Sequence, residues 1–302
     1  MKWRKLGRIF DPEILREQGL SAALMPIAEI PAGSEGMIRV YFSPRDSENR
    51  SQIRYFDFDL RNPGAAPKVS VKPLLLPGKL GTFDDAGVTL GSIVSADGKK
   101  LLYYTGWNLT KGAPFNNSIG IAEYSGDSFR RYGDGPVMTR TLYEPYCCAS
   151  PFVLYENPKL RMWYASMDDW REEDRGIRHY YNLKYAESSD GINWQRNVTV
   201  VIDYTHPGEY AFGRPFLLKE DGLYKIWYCY RGDFYRIGYA ESRDGIEWQR
   251  KDGEAGIEVS ESGWDSEMLA YPYVFDFSGE RYLLYNGNGY GKTGIGLAKL
   301  EE

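Results

Sequence analysis

Cysteine is almost missing from this chain: there are three in 302 residues, Cys147, Cys148 and Cys229, an odd number with two of them adjacent. A disulfide framework is thereby excluded as the source of the fold. Histidine is scarcer still, with only His179 and His206. No Cys/His spacing has the form of a zinc site, so no metal and no cofactor is expected, although carboxylate-bound calcium or magnesium stays open. No apolar run has the length of a membrane span, and Met1-Lys-Trp-Arg-Lys5 leads into Leu6-Gly-Arg-Ile-Phe10 rather than the apolar core of a signal peptide. That reads as a cytoplasmic protein. Basic charge is also in short supply, with 37 Lys and Arg against 42 Asp and Glu and a net charge of -5. Neither nucleic acid nor an anionic membrane is expected as a partner, because both require a concentrated basic surface. Helical periodicity is confined to residues 11–18.

What the chain does have is aromatic residues, 15% of the total with 25 tyrosines, in a pattern that repeats. Aromatic-rich segments start at Arg39, Leu101, Arg161, Lys225 and Arg281, among them Leu101-Leu-Tyr-Tyr-Thr-Gly-Trp-Asn108 and Lys225-Ile-Trp-Tyr-Cys-Tyr-Arg-Gly232. Each follows a shorter apolar segment centred on Pro26, Gly91, Pro151, Pro215 or Pro272, at intervals of 65, 60, 64 and 57 residues. A third member recurs as Ile119-Gly-Ile-Ala-Glu-Tyr124, Leu183-Lys-Tyr-Ala-Glu-Ser188, Ile237-Gly-Tyr-Ala-Glu-Ser242 and Ile295-Gly-Leu-Ala-Lys299. Two units then continue through Asp-Gly turns into tryptophan, Asp190-Gly-Ile-Asn-Trp194 and Asp244-Gly-Ile-Glu-Trp248. Alternating strands punctuated by Asp-Gly at a period near sixty predict repeated four-stranded units.

The last unit ends after its third strand, and residues 2–10 resemble the missing fourth. Pairing the two ends would leave no open sheet edge at the seam. The expectation is an all-β, five-bladed propeller occupying residues 1–302 as one domain, with blades near 21–70, 80–135, 142–203, 208–258 and 264–302 plus 2–10. Tyr103, Trp163, Trp227 and Tyr282, inside second strands, are expected as core. The hairpins 96–98, 156–158, 220–222 and 277–279 carry generic turn formers and no function.

Propeller geometry places the loops entering inner strands and the loops leaving second strands on one face. The entering loops carry Asp84, Asp85, Glu144, His206, Glu209, Asp265 and Glu267. The leaving loops carry Arg45, Asp46, Trp107, Asn108, Asp168, Trp170, Arg231, Asn286 and Asn288, and Arg214 directly precedes Pro215. Planar hydrogen-bonding groups beside indole faces suit a sugar, so a small sugar or oligosaccharide is the expected ligand.

The repeat pattern, with Ser188-Ser-Asp-Gly-Ile-Asn-Trp194 and Arg214-Pro-Phe-Leu-Leu-Lys-Glu-Asp-Gly-Leu-Tyr-Lys-Ile-Trp-Tyr228, resembles the superfamily of arabinanases, β-xylosidases, invertases, levansucrases and β-mannoside phosphorylases. Gly81-Thr-Phe-Asp-Asp-Ala-Gly87, Gly263-Trp-Asp-Ser-Glu267 and the stretch 285–298 look like an uncharacterised bacterial glycosidase-like group associated with polysaccharide biosynthesis. The resemblance implies a central site with an acid to protonate the leaving oxygen and a second carboxylate as nucleophile or base. It also implies acids beside the proline-like position of the first inner strands. Here those positions hold Met25, Leu90 and Ser150, followed by Arg214 and Tyr271. The nearest acids lie upstream, which makes Asp85 and Glu144 the expected acid and base and Glu267 the next candidate. Arg45, Arg214 and Arg231, with His206, open phosphate-dependent phosphorolysis or an activated-sugar substrate as alternatives, since arginine forks grip oxyanions. A non-catalytic sugar-binding propeller is the remaining alternative.

Overall fold

The computed structural model describes residues 1–156, 158–173 and 176–301. Asn157, in one expected hairpin, and Glu302, at the end of the last expected unit, lie outside the described residues. The chain is mostly strand. After β1 (Trp3–Phe10) and a short 3-10 helix at Pro12–Gln18, N-capped by Asp11, come β2 (Ser21–Glu29), β3 (Met37–Arg45), β4 (Arg54–Asp59) and β5 (Lys68–Val69). Next are β6 (Gly87–Ala96), β7 (Lys99–Asn108), β8 (Asn116–Tyr124) and β9 (Phe129–Arg131). The third set is β10 (Cys148–Glu156), β11 (Lys159–Glu173), β12 (Gly176–Ser188) and β13 (Gln195–Ile202). The fourth is β14 (Ala211–Glu220), β15 (Leu223–Arg231), β16 (Tyr235–Ser242) and β17 (Gln249–Arg250), and the last is β18 (Ala270–Phe277), β19 (Glu280–Asn286) and β20 (Ile295–Leu300).

Each set pairs antiparallel in chain order. The sets β10–β13 and β14–β17 form one larger sheet through a parallel bridge between Tyr181 and Ala211. The N-terminal strand β1 pairs with β20, Trp3 opposite Leu300 and Phe10 opposite Ile295, so the two ends of the chain share a sheet. The hairpins turn as their residues require: Asp97-Gly98 and Asp221-Gly222 have φ of 50° and 75°, the left-handed pair that matches strand twist.

Inner strands break register beside the proline-like position, β2 also once before it. Met25, Ser150, Arg214 and Tyr271 have φ of 56°, 49°, 50° and 57°, and each precedes a proline. Proline donates nothing to the ladder and keeps its predecessor out of the right-handed region, so the strand kinks there. Hydrogen-bond donors freed by these breaks are taken up by the neighbouring set. Leu90 N–H donates to Ser43 Oγ (3.0 Å), Ser150 N–H to Thr105 Oγ1 (2.8 Å) and Met25 N–H to Asn286 Oδ1 (3.0 Å). Ser43, Thr105 and Asn286 stand at the same position of their second strands, which explains why that column is polar in three of the five repeats.

Tyr103, Trp163 and Trp227 are fully buried, while Tyr282 is partly buried and stacked on Phe275 at 5.4 Å. Each buried tryptophan removes enough apolar surface to contribute roughly 4–6 kcal/mol before entropy is counted. The Asp-Gly-Ile-x-Trp turns dock onto these same second strands. Trp163 Nε1 donates to Gly245 O (2.8 Å) and Tyr103 OH to Gly191 O (2.9 Å). The motif that looked most like a family signature therefore joins adjacent sets of strands.

Candidate functional site

Four of the acids expected at the mouth occupy equivalent positions and are consumed there. Asp84 accepts from Tyr104 OH (3.1 Å) and pairs with Arg131 at 2.7 Å. Glu144 accepts from Tyr164 OH (2.9 Å) and Ser166 Oγ (2.8 Å), with Arg196 at 3.4 Å and Lys184 at 3.8 Å. Asp265 accepts from Tyr285 OH (3.1 Å) and pairs with Lys5 at 2.7 Å. Glu209 pairs with Arg250 at 2.7 Å and accepts from Thr205 N–H, while Tyr228 turns instead to Asp252, also held by Arg250. In every case the acid precedes an inner strand, the tyrosine lies on the second strand and the cation lies on the outermost strand. All four acids are buried. Burial, reinforced by the acceptor carboxylate, pushes the phenols of Tyr104, Tyr164 and Tyr285 above their usual range.

The third-strand glycines follow from this clip. A Cβ at Gly120, Gly238 or Gly296 would overlap the ring of Tyr104, Tyr228 or Tyr285. In the third set Lys184 stands at that position and reaches toward Glu144 instead.

The other two expected catalytic acids differ from these four. Asp85 is half-buried and accepts from Gly81 N–H (2.8 Å). Glu267 is exposed, with its backbone N–H bonded to Asn288 Oδ1 (2.8 Å). None of Asp85, Glu144 and Glu267, expected as acid and base, lines the cavity among the inner strands: tyrosines and cations hold Glu144 inside its own sheet, a loop amide holds Asp85, and Glu267 faces outward.

The central cavity has a volume of about 810 Å³ and lies among the inner strands. Of the expected residues, Arg45, Trp107 and Arg231 line it. Asp46 caps the 46–50 turn and pairs with Arg50 at 3.0 Å. Asn108 accepts from its cross-strand partner Asn116, and Asp168 lies 3.5 Å from Lys184. Trp170 packs behind the wall on Phe115 at 5.1 Å, and His206 is exposed. Asn286 bonds Met25 and Ala23, and Asn288 holds the 263–268 loop.

Arg214 is 2% exposed and is not on the cavity wall, one residue past wall-lining Gly213. Its guanidinium crosses to the carbonyls of Pro26 (3.0 Å), Leu90 (3.3 Å) and Gly91. Burial lowers its pKa to about 10. It joins three inner strands rather than presenting a fork to a ligand.

Several wall residues were not read from sequence: Thr89, Thr105, Asn117, Ser150, His179, Tyr181, Tyr235, Tyr271, Tyr290 and Lys292. Ser150 and Tyr271 had a readable signal, since both directly precede an inner-strand proline. Tyr290 and Lys292 follow from a tight turn with Gly289 and Tyr290 both at positive φ, which the strand pattern does not reveal. His179 is pushed down to about 4 by burial, then by Arg231 and Arg178, so at neutral pH it is an uncharged imidazole. Among the described residues the only wall carboxylates are Asp11, paired with Arg8 at 2.5 Å, and Glu13, paired with Arg16 at 2.7 Å. Among the described residues no cluster of His, Cys, Asp and Glu has the form of a metal site, and no helix is long and apolar enough to cross a membrane.

Comparison with known proteins adds to this geometry. No family model matches the chain. It is 42% identical over 302 residues, the full length of both proteins, to the uncharacterized protein Rv1502 of Mycobacterium tuberculosis. Over 148 residues, 46% of this chain and 48% of the other, it is 29% identical to a 1,2-beta-oligomannan phosphorylase of a Thermoanaerobacter species. Among solved structures, a complex of BT0996 with RGII superposes with a TM-score of 0.79 at 14% identity, covering 99% of this chain and 92% of that one. A member of the GH130 family, described as mannoside phosphorylases that include hydrolases of β-1,2-mannosidic linkages, superposes with a TM-score of 0.69 at 14% identity, covering 99% and 93%. At such identity the likeness establishes the fold, that of propeller-type glycosidases, and no more.

Proposed function

We propose, for a chain that belongs to the same family as the uncharacterized mycobacterial protein Rv1502, a single carbohydrate-active domain of five blades whose central cavity holds a glycan or activated sugar. Five sets of strands at the period of the repeat, with β1 on β20 and Asn286 on Met25, support a ring closed by the N-terminal strand. The observation that carries the sugar reading is the cavity wall: the indole of Trp107 and the phenols of Tyr235, Tyr271 and Tyr290 among the hydroxyls and amide of Thr89, Thr105, Ser150 and Asn117. Aromatic faces with interspersed hydroxyls and amides match the CH and OH faces of a pyranose.

The same wall favours recognition over hydrolysis by paired carboxylates. The common acid–base route of glycoside hydrolysis uses two carboxyl groups flanking the scissile bond. The two on this wall sit in local ion pairs at residues 11 and 13. Saturable glycan binding, read from the fluorescence of Trp107 against a Trp107→Phe control, with no release of reducing sugar in phosphate-free buffer, is the expected result. Turnover in water that disappears in Asp85→Asn or Glu267→Gln would overturn it.

Phosphorolysis is the second reading. It is favoured by the match to the oligomannan phosphorylase and by Arg45 and Arg231 on the wall. Product release that appears only on adding inorganic phosphate would select it.

A further inference from the structure

We infer that the ligand of the central cavity carries an oxyanion, a phosphate or a carboxylate on the sugar itself, gripped by Arg45, Arg231 and Lys292. The inference rests on the reading of that cavity as a sugar site and specifies what kind of sugar it takes.

The charge on the wall is inverted relative to the rest of the molecule. The chain carries a net charge of -5, yet the wall presents four basic residues against two acidic ones. Arg16 is matched by Glu13, and Asp11 by Arg8 from outside the wall. Arg45, Arg231 and Lys292 are left, and among the described residues none of them has a carboxylate within ion-pair distance. Many buried and half-buried cations elsewhere are matched, as the four clips illustrate, while Arg54, Arg214 and Arg236 spend their donors chiefly on backbone carbonyls. Three unmatched cations from three separate sets of strands, facing one cavity, create a positive potential that an anion relieves.

Their settings fit that role. Arg45 spends one nitrogen on Asn49, bonding its backbone oxygen and Oδ1 at 3.1 Å each, and its guanidinium lies 5.4 Å from the Trp107 ring. Arg231 stands among three phenol rings, with its guanidinium carbon 5.2 Å from Tyr210, 5.7 Å from Tyr235 and 5.5 Å from Tyr290. Its Nε is buried without a hydrogen-bond partner. Rings hold such a fork in place by cation–π attraction without neutralising it, which leaves its donors for a ligand oxyanion. Buried Arg214, with no carboxylate partner among the described residues, adds positive charge behind the wall.

The test is a binding panel on the intact chain by titration calorimetry and ligand-observed NMR: hexose 1-phosphates, the matching hexuronates, and neutral methyl hexosides. The expected outcome is at least tenfold tighter binding of one anionic class than of its neutral counterpart. That preference should fall at least tenfold in Arg231→Gln and Arg45→Gln and weaken in the unaltered protein as salt rises from about 0.05 to 0.5 M. The salt series keeps the test valid if a variant folds poorly. Comparing phosphates with uronates identifies which oxyanion is recognised. Neutral glycosides binding as tightly as both anionic classes would overturn the inference while leaving the sugar reading intact. Saturable binding of none of the panel by the folded protein would overturn both.

Discussion

Glu144→Gln distinguishes an acid that holds the fold from one that performs chemistry. The carboxylate lies against Arg196 and Lys184, whose side chains are 10% and 6% exposed. Removing one partner of a buried pair commonly costs about 3–5 kcal/mol, because the remaining charge stays buried without compensation. Glutamine keeps an oxygen able to accept from Tyr164 or Ser166, and Asp168 remains 3.5 Å from Lys184. The lower end, about 3 kcal/mol, is therefore expected. For a domain of this length that corresponds to a fall in Tm of roughly 4–6 °C. Thermal unfolding followed by near-ultraviolet circular dichroism, with glycan binding measured at room temperature on the same samples, separates the two roles. The clip predicts a large loss of stability with binding little changed. An unchanged Tm with abolished binding or turnover would refute it. Asp85→Asn and Glu267→Gln serve as comparisons, each expected to stay within about 0.5 kcal/mol.

Gly296→Ala places a methyl group against the Tyr285 ring and Trp264 and is expected to cost about 1–3 kcal/mol in urea unfolding, whereas Gly253→Ala, which faces open space, should be near neutral. Arg214→Met leaves the carbonyls of Pro26, Leu90 and Gly91 without their donor; a loss of about 3 kcal/mol by the same measurement is expected, and a neutral or stabilising result would contradict the bridging role. His179 is held near 4 when folded, below the usual histidine value of about 6.5, so the unfolded chain takes up the extra proton as pH falls through that window. Stability should drop by up to about 3 kcal/mol between about pH 6.5 and 4, with little further loss from this group below that range. His179→Phe, packed among the same rings, should flatten that part of the profile.

The strand order and the extent of each set were legible because strand alternation and turn chemistry are local. Asp97-Gly98 and the residues preceding the inner-strand prolines announce their geometry within a few positions. The partners of the acids were not legible because they are remote in the chain. Arg131 comes 47 residues after Asp84, Arg196 comes 52 after Glu144, and Lys5 comes 260 before Asp265. A loop acid followed twenty residues later by a second-strand tyrosine, as in 84/104, 144/164 and 265/285, was a readable sign of the clip. That Arg45, Trp107 and Arg231 line the cavity was legible because they leave second strands at one face. Tyr290 and Lys292 depend on a turn conformation that composition does not encode.

Arg214 has a consequence for how freely the inner strands can move. A side chain laid from the fourth inner strand to the first and second, fastened to three carbonyls, ties those strands together next to wall-lining Gly213. Strands fastened in this way cannot separate without leaving a buried guanidinium and three carbonyls unpaired. The wall is therefore set before anything enters it, and whatever the cavity admits meets a pre-formed shape rather than one moulded around it.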